Sequence, residues 1–87
     1  MKLIIAIVKD NDHEPVSRAL TTSEFRATLI ASTGGFLRRG STTLLIGVED
    51  ERVEPALKVI RENCTPDETG VKGATIFVVK IDDYTHF

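Results

Sequence analysis

The residues best suited to bind a ligand form a short glycine-rich segment near the middle of the chain, Thr33 to Gly40 (TGGFLRRG). Consecutive glycines such as Gly34 and Gly35 let backbone N–H groups converge on an anion, and neighbouring arginines add charged donors. Phe36 and Leu37 bring apolar surface to this polar segment, and exposed apolar side chains in a loop commonly pack on a base, a partner or another subunit. The segment therefore suits a nucleotide, although a hairpin loop with merely solvated arginines has the same spacing.

Two polar residues just upstream share one face of a predicted strand. In the run Phe25 to Thr33 (FRATLIAST), Arg26 and Thr28 alternate with apolar residues, as in a half-buried strand. Both side chains could point at one ligand, and a polar strand surface facing solvent would show the same pattern. A second glycine segment, Thr69 to Ala74 (TGVKGA), lacks the spacing of a phosphate-binding P-loop and precedes a strand, so it is a weak signal alone.

Residue types that perform covalent or acid–base chemistry are sparse. The two histidines, His13 and His86, lie far apart in the sequence, and Cys64 has no histidine near it. A thiol nucleophile needs a base or cation placed beside it, so we expect Cys64 to be a plain, partly buried thiol. Asp82 and Asp83 supply too few oxygens for a hard cation. The sequence therefore predicts a protein that is not an enzyme, with neither catalytic residues nor a metal site.

The composition is that of one ordinary domain spanning residues 1–87, with 41% hydrophobic and 28% charged residues. The longest apolar run, Leu3 to Val8, is too short to cross a bilayer. The formal net charge of -2 lacks the basic excess that a nucleic-acid polymer requires. A single cysteine fits a reducing compartment, so we expect a cytoplasmic protein without membrane or nucleic-acid-polymer partners. So short a chain buries a small core, which association with other copies would enlarge.

Hydrophobic periodicity divides the chain into six elements in the order β-α-β-β-α-β. We expect strands at Lys2 to Lys9, Phe25 to Thr33, Thr42 to Glu49 and Ala74 to Ile81, and helices at about 13–23 and 51–63. The cluster at residues 10–12 is a source of N-caps for the first helix, with Pro15 in its first turn, and Asp50 is the expected N-cap of the second. Pro55 lacks a donor and predicts an irregular start for that second helix.

Two strand-helix-strand units in this order predict an α+β, ferredoxin-like fold, a four-stranded antiparallel sheet with both helices on one face. The helices leave the other face of the sheet uncovered. Apolar side chains on that face need a cover, and a symmetric oligomer is the usual one.

Three stretches of the chain resemble one known family. The opening MKLIIAIVKDND, the run FRATLIASTGGFLRRGSTTLLIGVEDERV and the ending GATIFVVKIDDYTHF are similar to the cyclic di-AMP receptor proteins of the PII-like superfamily. The most specific part is Phe25 to Val53, which contains the glycine-rich segment. The resemblance implies a non-enzymatic signal transduction protein, a homotrimer of ferredoxin-like protomers that binds the bacterial second messenger cyclic di-AMP between adjacent subunits. A downstream protein would receive the signal.

The resemblance also implies which residues contact the ligand. Arg26 and Thr28 would lie beside an adenine ring, and Gly47 and Phe77 would line the same pocket. The backbone of four loop residues would surround the phosphates and the second base: Gly34, Gly35, Phe36 and Leu37.

The chain departs from the family pattern at three places. Ser41 stands where the family usually has Asn. The serine lacks the side-chain amide, which can donate and accept hydrogen bonds together. His86 replaces a penultimate Gln and can still form a hydrogen bond to the ligand. The link from the second helix to the last strand, Cys64 to Gly73, is much shorter than in the family. Ser41 and His86 remain candidate ligand contacts.

The short link leaves two alternatives open. With TGVKGATIFV leading into the last strand, it resembles the corresponding loop of the nitrogen regulatory PII proteins, which bind ATP or ADP at a similar cleft. The long loop that those proteins carry between their second and third strands is missing here. The other alternative is a trimeric adaptor that has lost ligand control and acts through protein contacts. Apart from the ligand itself, no cofactor is expected.

Overall fold

The chain folds in the predicted order of elements. The structure, a computed structural model, describes residues 1–31, 41–66 and 73–82 of the 87-residue chain. The elements are β1 (Lys2–Lys9), α1 (Asp10–Thr22), β2 (Ala27–Ala31), β3 (Ser41–Val48), a 3-10 turn (Asp50–Arg52), α2 (Val53–Glu62) and β4 (Thr75–Lys80). No helix within these described ranges is long and apolar enough to cross a membrane.

The four strands form one antiparallel sheet in the order β2-β3-β1-β4. β1 lies in the interior of the sheet, paired with β3 from Lys2 to Lys9 and with β4 from Lys2 to Ile7. This order joins two interleaved strand-helix-strand units and confirms the ferredoxin-like fold. β1 carries apolar residues on both faces of the sheet, although the helices cover only one of them.

Alternate residues of the two interior strands, β1 and β3, pack against the helices. Ile4, Ala6 and Val8 of β1 are fully buried. Their neighbours on β3 and one side of each helix complete the core: Leu44, Ile46, Val48, Val16, Leu20, Ala56 and Ile60. Because this one core contains residues of both helices, both helices cover the same face of the sheet, as predicted.

The beginning of α1 differs from the prediction. The helix begins at Asp10 and not near residue 13, and no side chain caps it. Asp10 is the first residue of the helix and not its N-cap, and its carboxylate accepts a hydrogen bond of 2.6 Å from the Thr42 hydroxyl of β3. Pro15 therefore lies inside the helix, and its predicted place in the first turn is wrong. The carbonyl that Pro15 leaves without a helical donor belongs to Asn11, which is exposed to water, so its cost is reduced.

The beginning of α2 is irregular, as Pro55 predicts. The 3-10 turn Asp50–Arg52 precedes the helix, which begins at Val53. Pro55 is the third residue of α2, where an N–H group has no partner within the helix in any case. The predicted N-cap role of Asp50 is wrong, since neither the turn nor α2 has a side-chain cap. The Asp50 carboxylate binds the amino-terminal ammonium instead.

β2 is shorter than predicted. It begins at Ala27, where the pairing with β3 starts, and Phe25 is buried ahead of the strand with 6% of its surface exposed. Between Leu29 and Ala31 the pairing with β3 shifts at a bulge or irregularity. The predicted two-residue alternation therefore holds only as far as Leu29, and residues 32 and 33 lie outside the described ranges.

The sheet face opposite the helices keeps apolar side chains in contact with solvent. One row of paired residues crosses all four strands on this face: Thr28, Leu45, Ile5 and Phe77. Phe77 is 50% exposed, and Val79 on the same strand is 45% exposed. The open sheet face, as we call this surface, has the apolar character that the fold predicts.

A buried carboxylate connects α1 to the segment that follows α2. Asp12 is 1% exposed and accepts hydrogen bonds from the backbone N–H of Thr65 at 3.1 Å and from its hydroxyl at 3.0 Å. The ammonium of Lys9 donates to the Thr65 carbonyl at 3.3 Å. These bonds hold the end of α2 against the start of α1.

Replacing Asp12 by Ala is expected to lower the free energy of unfolding by about 1–3 kcal/mol, because two donors of Thr65 lose their acceptor. Glu14→Ala is the matched control, since it removes an exposed carboxylate of the same helix that pairs with Arg18 at 3.0 Å. The control should cost about 0.5 kcal/mol or less. Urea denaturation measures both, and equal losses in the two variants would contradict the role of Asp12.

Candidate functional site

A cavity of about 470 Å³ opens on the open sheet face beside β2. Seven residues line it: Met1, Leu3, Arg26, Thr28, Leu45, Gly47 and Ile81. Its volume lies in the range of pockets that bind small molecules. Three residues that the sequence singles out, Arg26, Thr28 and Gly47, are thus brought together in one site.

Gly47 makes room for this cavity. The residue is exposed near the end of β3 and pairs with Leu3 of β1. A β-carbon added there would meet only the methyl group of Met1, at 4.0 Å, and the backbone is not in the left-handed region. Neither close packing nor backbone geometry therefore requires glycine. A glycine inside a strand weakens it and often marks the close approach of a ligand.

Arg26 and Thr28 supply polar groups at the β2 side of the cavity. Both side chains are exposed, and within the described part of the chain neither forms a hydrogen bond or an ion pair. The planar guanidinium of Arg26 can bind a phosphate through two donors or stack on an aromatic ring. The Thr28 hydroxyl can both donate and accept. Leu3 and Leu45 line the same cavity with apolar surface, so the site suits a ligand with a flat apolar part and an anionic part.

The remaining wall of the cavity depends on the first residue. The Met1 ammonium pairs with the Asp50 carboxylate at 3.0 Å, and the Met1 carbonyl accepts the N–H of Ile81 at 3.0 Å. The hydrogen bond from this ammonium lowers the pKa of Asp50 below its ordinary value of 3.8. Desolvation opposes the shift, while the charges of the ammonium, Lys2 and Lys80 favour it.

The other predicted site residues lie elsewhere. Ser41 is half-buried at the opposite end of β3 from Gly47, where it pairs with Lys9. Phe77 lies on the open sheet face, but β3 and β1 separate it from Thr28 by about 14 Å at ordinary strand spacing. Neither lines the cavity within one chain. Five predicted contacts fall outside the described residues and stay predictions: Gly34, Gly35, Phe36, Leu37 and His86.

Sequence reasoning missed four residues of the cavity: Met1, Leu3, Leu45 and Ile81. The two leucines could have been predicted. Two-residue alternation places Leu45 on the same face of β3 as Gly47, and antiparallel pairing places Leu3 opposite Gly47. Met1 and Ile81 meet through a backbone contact between distant parts of the chain. No short-range pattern encodes that contact.

The helix side of the sheet has a smaller cavity of about 240 Å³ between α2 and β4. Its lining is mostly aliphatic and includes Cys64, which is buried with 5% of its surface exposed and not only partly buried as predicted. His13 is half-buried on α1. Within the ranges that the structure describes, no three His, Cys, Asp or Glu residues are grouped to hold a metal ion.

The fold is that of an α+β domain, and the cavity at Gly47 lies on the sheet face that the helices leave open. A model of the cyclic-di-AMP receptor family matches residues 1–69, and the chain belongs to this family. A crystal structure of a functionally unknown protein from Pediococcus pentosaceus is similar at 37% sequence identity and a TM-score of 0.80. That similarity covers 99% of this chain and 96% of the other. The family resemblance predicted from the sequence is confirmed.

Replacing Asp50 by Asn is expected to remove a pH-dependent contribution to stability. The pKa of Asp50 is lower in the folded protein than its ordinary value of 3.8, so the contribution is fully present above that value and is lost as the pH falls through the folded pKa. The urea midpoint of the wild type should exceed that of Asp50→Asn at neutral pH, and the two should converge in strong acid. Glu51→Gln, which neutralises the adjacent carboxylate, should not reproduce this pattern. A difference between wild type and Asp50→Asn that is independent of pH would contradict it.

Proposed function

We propose that the protein is a PII-like signal transduction protein that binds cyclic di-AMP in clefts between the subunits of a homotrimer. The observation that carries this proposal is the cavity at Gly47, where a strand glycine that folding does not require adjoins an unpaired arginine and threonine within the described ranges. Family membership supplies the identity of the ligand.

The lining of the cavity matches the chemistry of cyclic di-AMP, which combines two adenine rings with two phosphodiesters. An adenine ring can lie against Leu3 and Leu45 with its polar edge at the Thr28 hydroxyl. The Arg26 guanidinium can then bind a phosphate or stack on the ring. The glycine-rich segment that follows β2 would add its main-chain donors, as the resemblance implies.

The open sheet face supports the homotrimer. In a ring of identical subunits each contact joins two different surfaces, so the β2 edge of one copy can meet the β4 edge of the next. Thr28 and Phe77 are at opposite ends of the same row of paired residues. A head-to-tail ring would therefore bring Phe77 of one copy toward the cavity of its neighbour, and it would cover the apolar residues of β4.

We propose a receptor and not an enzyme. The polar side chains of the cavity are an arginine and a threonine, which bind anions and hydrogen-bonding groups but are poor general bases. The ligand would act by changing the surface offered to a downstream protein in the cytoplasm.

Calorimetric titration with cyclic di-AMP, cyclic di-GMP, ATP and ADP tests the ligand, and light scattering tests the assembly. We expect heat with cyclic di-AMP that saturates at one ligand per chain, and a mass three times the 9.6 kDa of one chain. No heat with cyclic di-AMP at concentrations on the order of tens of micromolar would contradict the proposal. Heat with ATP or ADP alone would favour the mononucleotide alternative, and a trimer that binds none of the four would favour the adaptor. A monomeric mass would overturn the intersubunit cleft.

Within the same titration, Thr28→Val should weaken cyclic di-AMP binding about tenfold, because the valine keeps the shape of threonine but removes the hydroxyl. Thr22→Val is the matched control. It makes the same chemical change at an exposed residue of α1, on the helix side of the sheet, that does not line the cavity. Equal effects in the two variants would place the ligand elsewhere.

Gly47→Val is expected to separate binding from stability. The new β-carbon makes no close contact and valine suits a strand, so the free energy of unfolding should rise by roughly 0.5–1 kcal/mol. The same side chain would occupy the space proposed for the ligand, so cyclic di-AMP affinity should fall more than about tenfold. Gly47→Ala should be intermediate in both measurements. Unchanged affinity in a stable Gly47→Val variant would contradict the assigned site.

A further inference from the structure

The corner between α1 and β2 has a well-defined hydrogen-bonding pattern. The N–H of Phe25 donates to the Leu20 carbonyl at 2.8 Å, and the N–H of Glu24 donates to the Thr21 carbonyl at 3.0 Å. These two bonds form a Schellman motif, in which the last turn of a helix is closed by a residue in the left-handed conformation. The hydrophobic contact that accompanies the motif is supplied by Leu20 and Phe25, which belong to the same buried core.

The corner is strained at one residue. Glu24 has a φ of 65°, a conformation that glycine adopts freely and that other residues adopt at a cost. Helix α1 also has no basic residue in its last turn to interact with the exposed carbonyls at its negative end. The geometry of this corner therefore needs support from outside the helix.

Arg52 supplies that support from the 3-10 turn. Its guanidinium donates to the carbonyls of Ser23 at 3.1 Å and of Glu24 at 3.4 Å. The same guanidinium lies over the ring of Phe25, with Cζ 4.1 Å from the ring centroid. One planar cation thus satisfies two carbonyls at the end of α1 and covers the aromatic residue that follows them.

This contact immediately precedes the polar side of the cavity. Phe25 is buried and held by Arg52, Arg26 is the next residue, and Thr28 follows two residues later. In an extended chain the direction of each side chain is set by the orientation of the backbone before it. A change in the pose of Phe25 therefore changes where the Arg26 and Thr28 side chains point.

We propose that Arg52 is a positioning residue for ligand binding: its clamp on the α1–β2 corner holds Arg26 and Thr28 in the orientation that receives cyclic di-AMP. This assignment rests on the function proposed above for the cavity. Arg52 does not line the cavity and acts through β2.

Binding of cyclic di-AMP to four purified proteins tests this role: wild type, Arg52→Met, Arg52→Lys and Ile60→Val. Arg52→Met keeps an unbranched stem but removes the guanidinium, with the two donors and the charge. Arg52→Lys keeps the charge without the planar fork. Ile60→Val is the control for stability alone, because it removes one buried methyl group from the other face of the sheet. Thermal denaturation of each variant accompanies its calorimetric titration.

We expect Arg52→Met to weaken cyclic di-AMP binding about tenfold and Arg52→Lys to recover part of that loss, while Ile60→Val binds as the wild type does. A double-mutant cycle distinguishes positioning from a purely structural role, because a structural role would give Arg52→Met the same effect on affinity in both backgrounds. In an Arg26→Lys background, Arg52→Met should weaken binding less than about threefold, because one of the two residues through which Arg52 acts is already altered.

Three results would overturn the assignment. The first is wild-type affinity in Arg52→Met. The second is a ratio of affinity loss to stability loss in Ile60→Val that equals the same ratio in Arg52→Met. The third is an undiminished tenfold effect of Arg52→Met in the Arg26→Lys background. If the wild type itself does not bind cyclic di-AMP, the proposed function fails and the assignment fails with it, which distinguishes that outcome from the other three.

Discussion

The pairing of β1 with β3 on one side and β4 on the other is the constraint on which the rest of this structure depends. Its register decides which side chains meet on each face of the sheet. A slip by one residue would exchange the two faces of a strand, sending the buried Ile4 to the open sheet face and Leu3 to the helices. The apolar core under α1 and α2 opposes such a slip, and the cavity at Gly47 is set by the same register. Core packing on one face thus determines the ligand chemistry available on the other.

Polar contacts between distant parts of the chain then fix the ends of the elements. Asp12 accepts a hydrogen bond from Thr65, and Asp10 accepts one from Thr42. Asp50 forms an ion pair with the amino-terminal ammonium of Met1. Each of these carboxylates lies at or near a helix start, yet each is used for a tertiary contact. The helix starts are consequently positioned by tertiary contacts more than by local caps. In a small domain few residues are available, so the same carboxylates cannot serve both purposes.

These contacts also explain which parts of the fold and of the candidate site could be predicted from the sequence. Strand positions and the ferredoxin-like order follow from alternation and apolar runs, which are local, and the structure confirms them. The start of α1 was predicted late and Asp50 was predicted as a cap because Asp10, Asp12 and Asp50 resemble caps locally while their true partners are remote in sequence. The site divides in the same way. Arg26 and Thr28 could be paired from strand alternation, Gly47 needed the family resemblance, and Met1 and Ile81 required the three-dimensional structure.

The exposed edge of the sheet at β4 has a consequence for the single, unassembled chain. β4 is the last strand in the sheet order, and Phe77, Val78 and Val79 are all substantially exposed in succession. A strand edge with apolar residues on both sides is a template for uncontrolled cross-β association, and a charged residue such as Lys80 at its end only partly discourages it. The proposed homotrimer would cover this strand. Chains that have not yet assembled would then carry an aggregation hazard, and the rate of assembly and the cellular concentration of the chain would become matters of protein quality control.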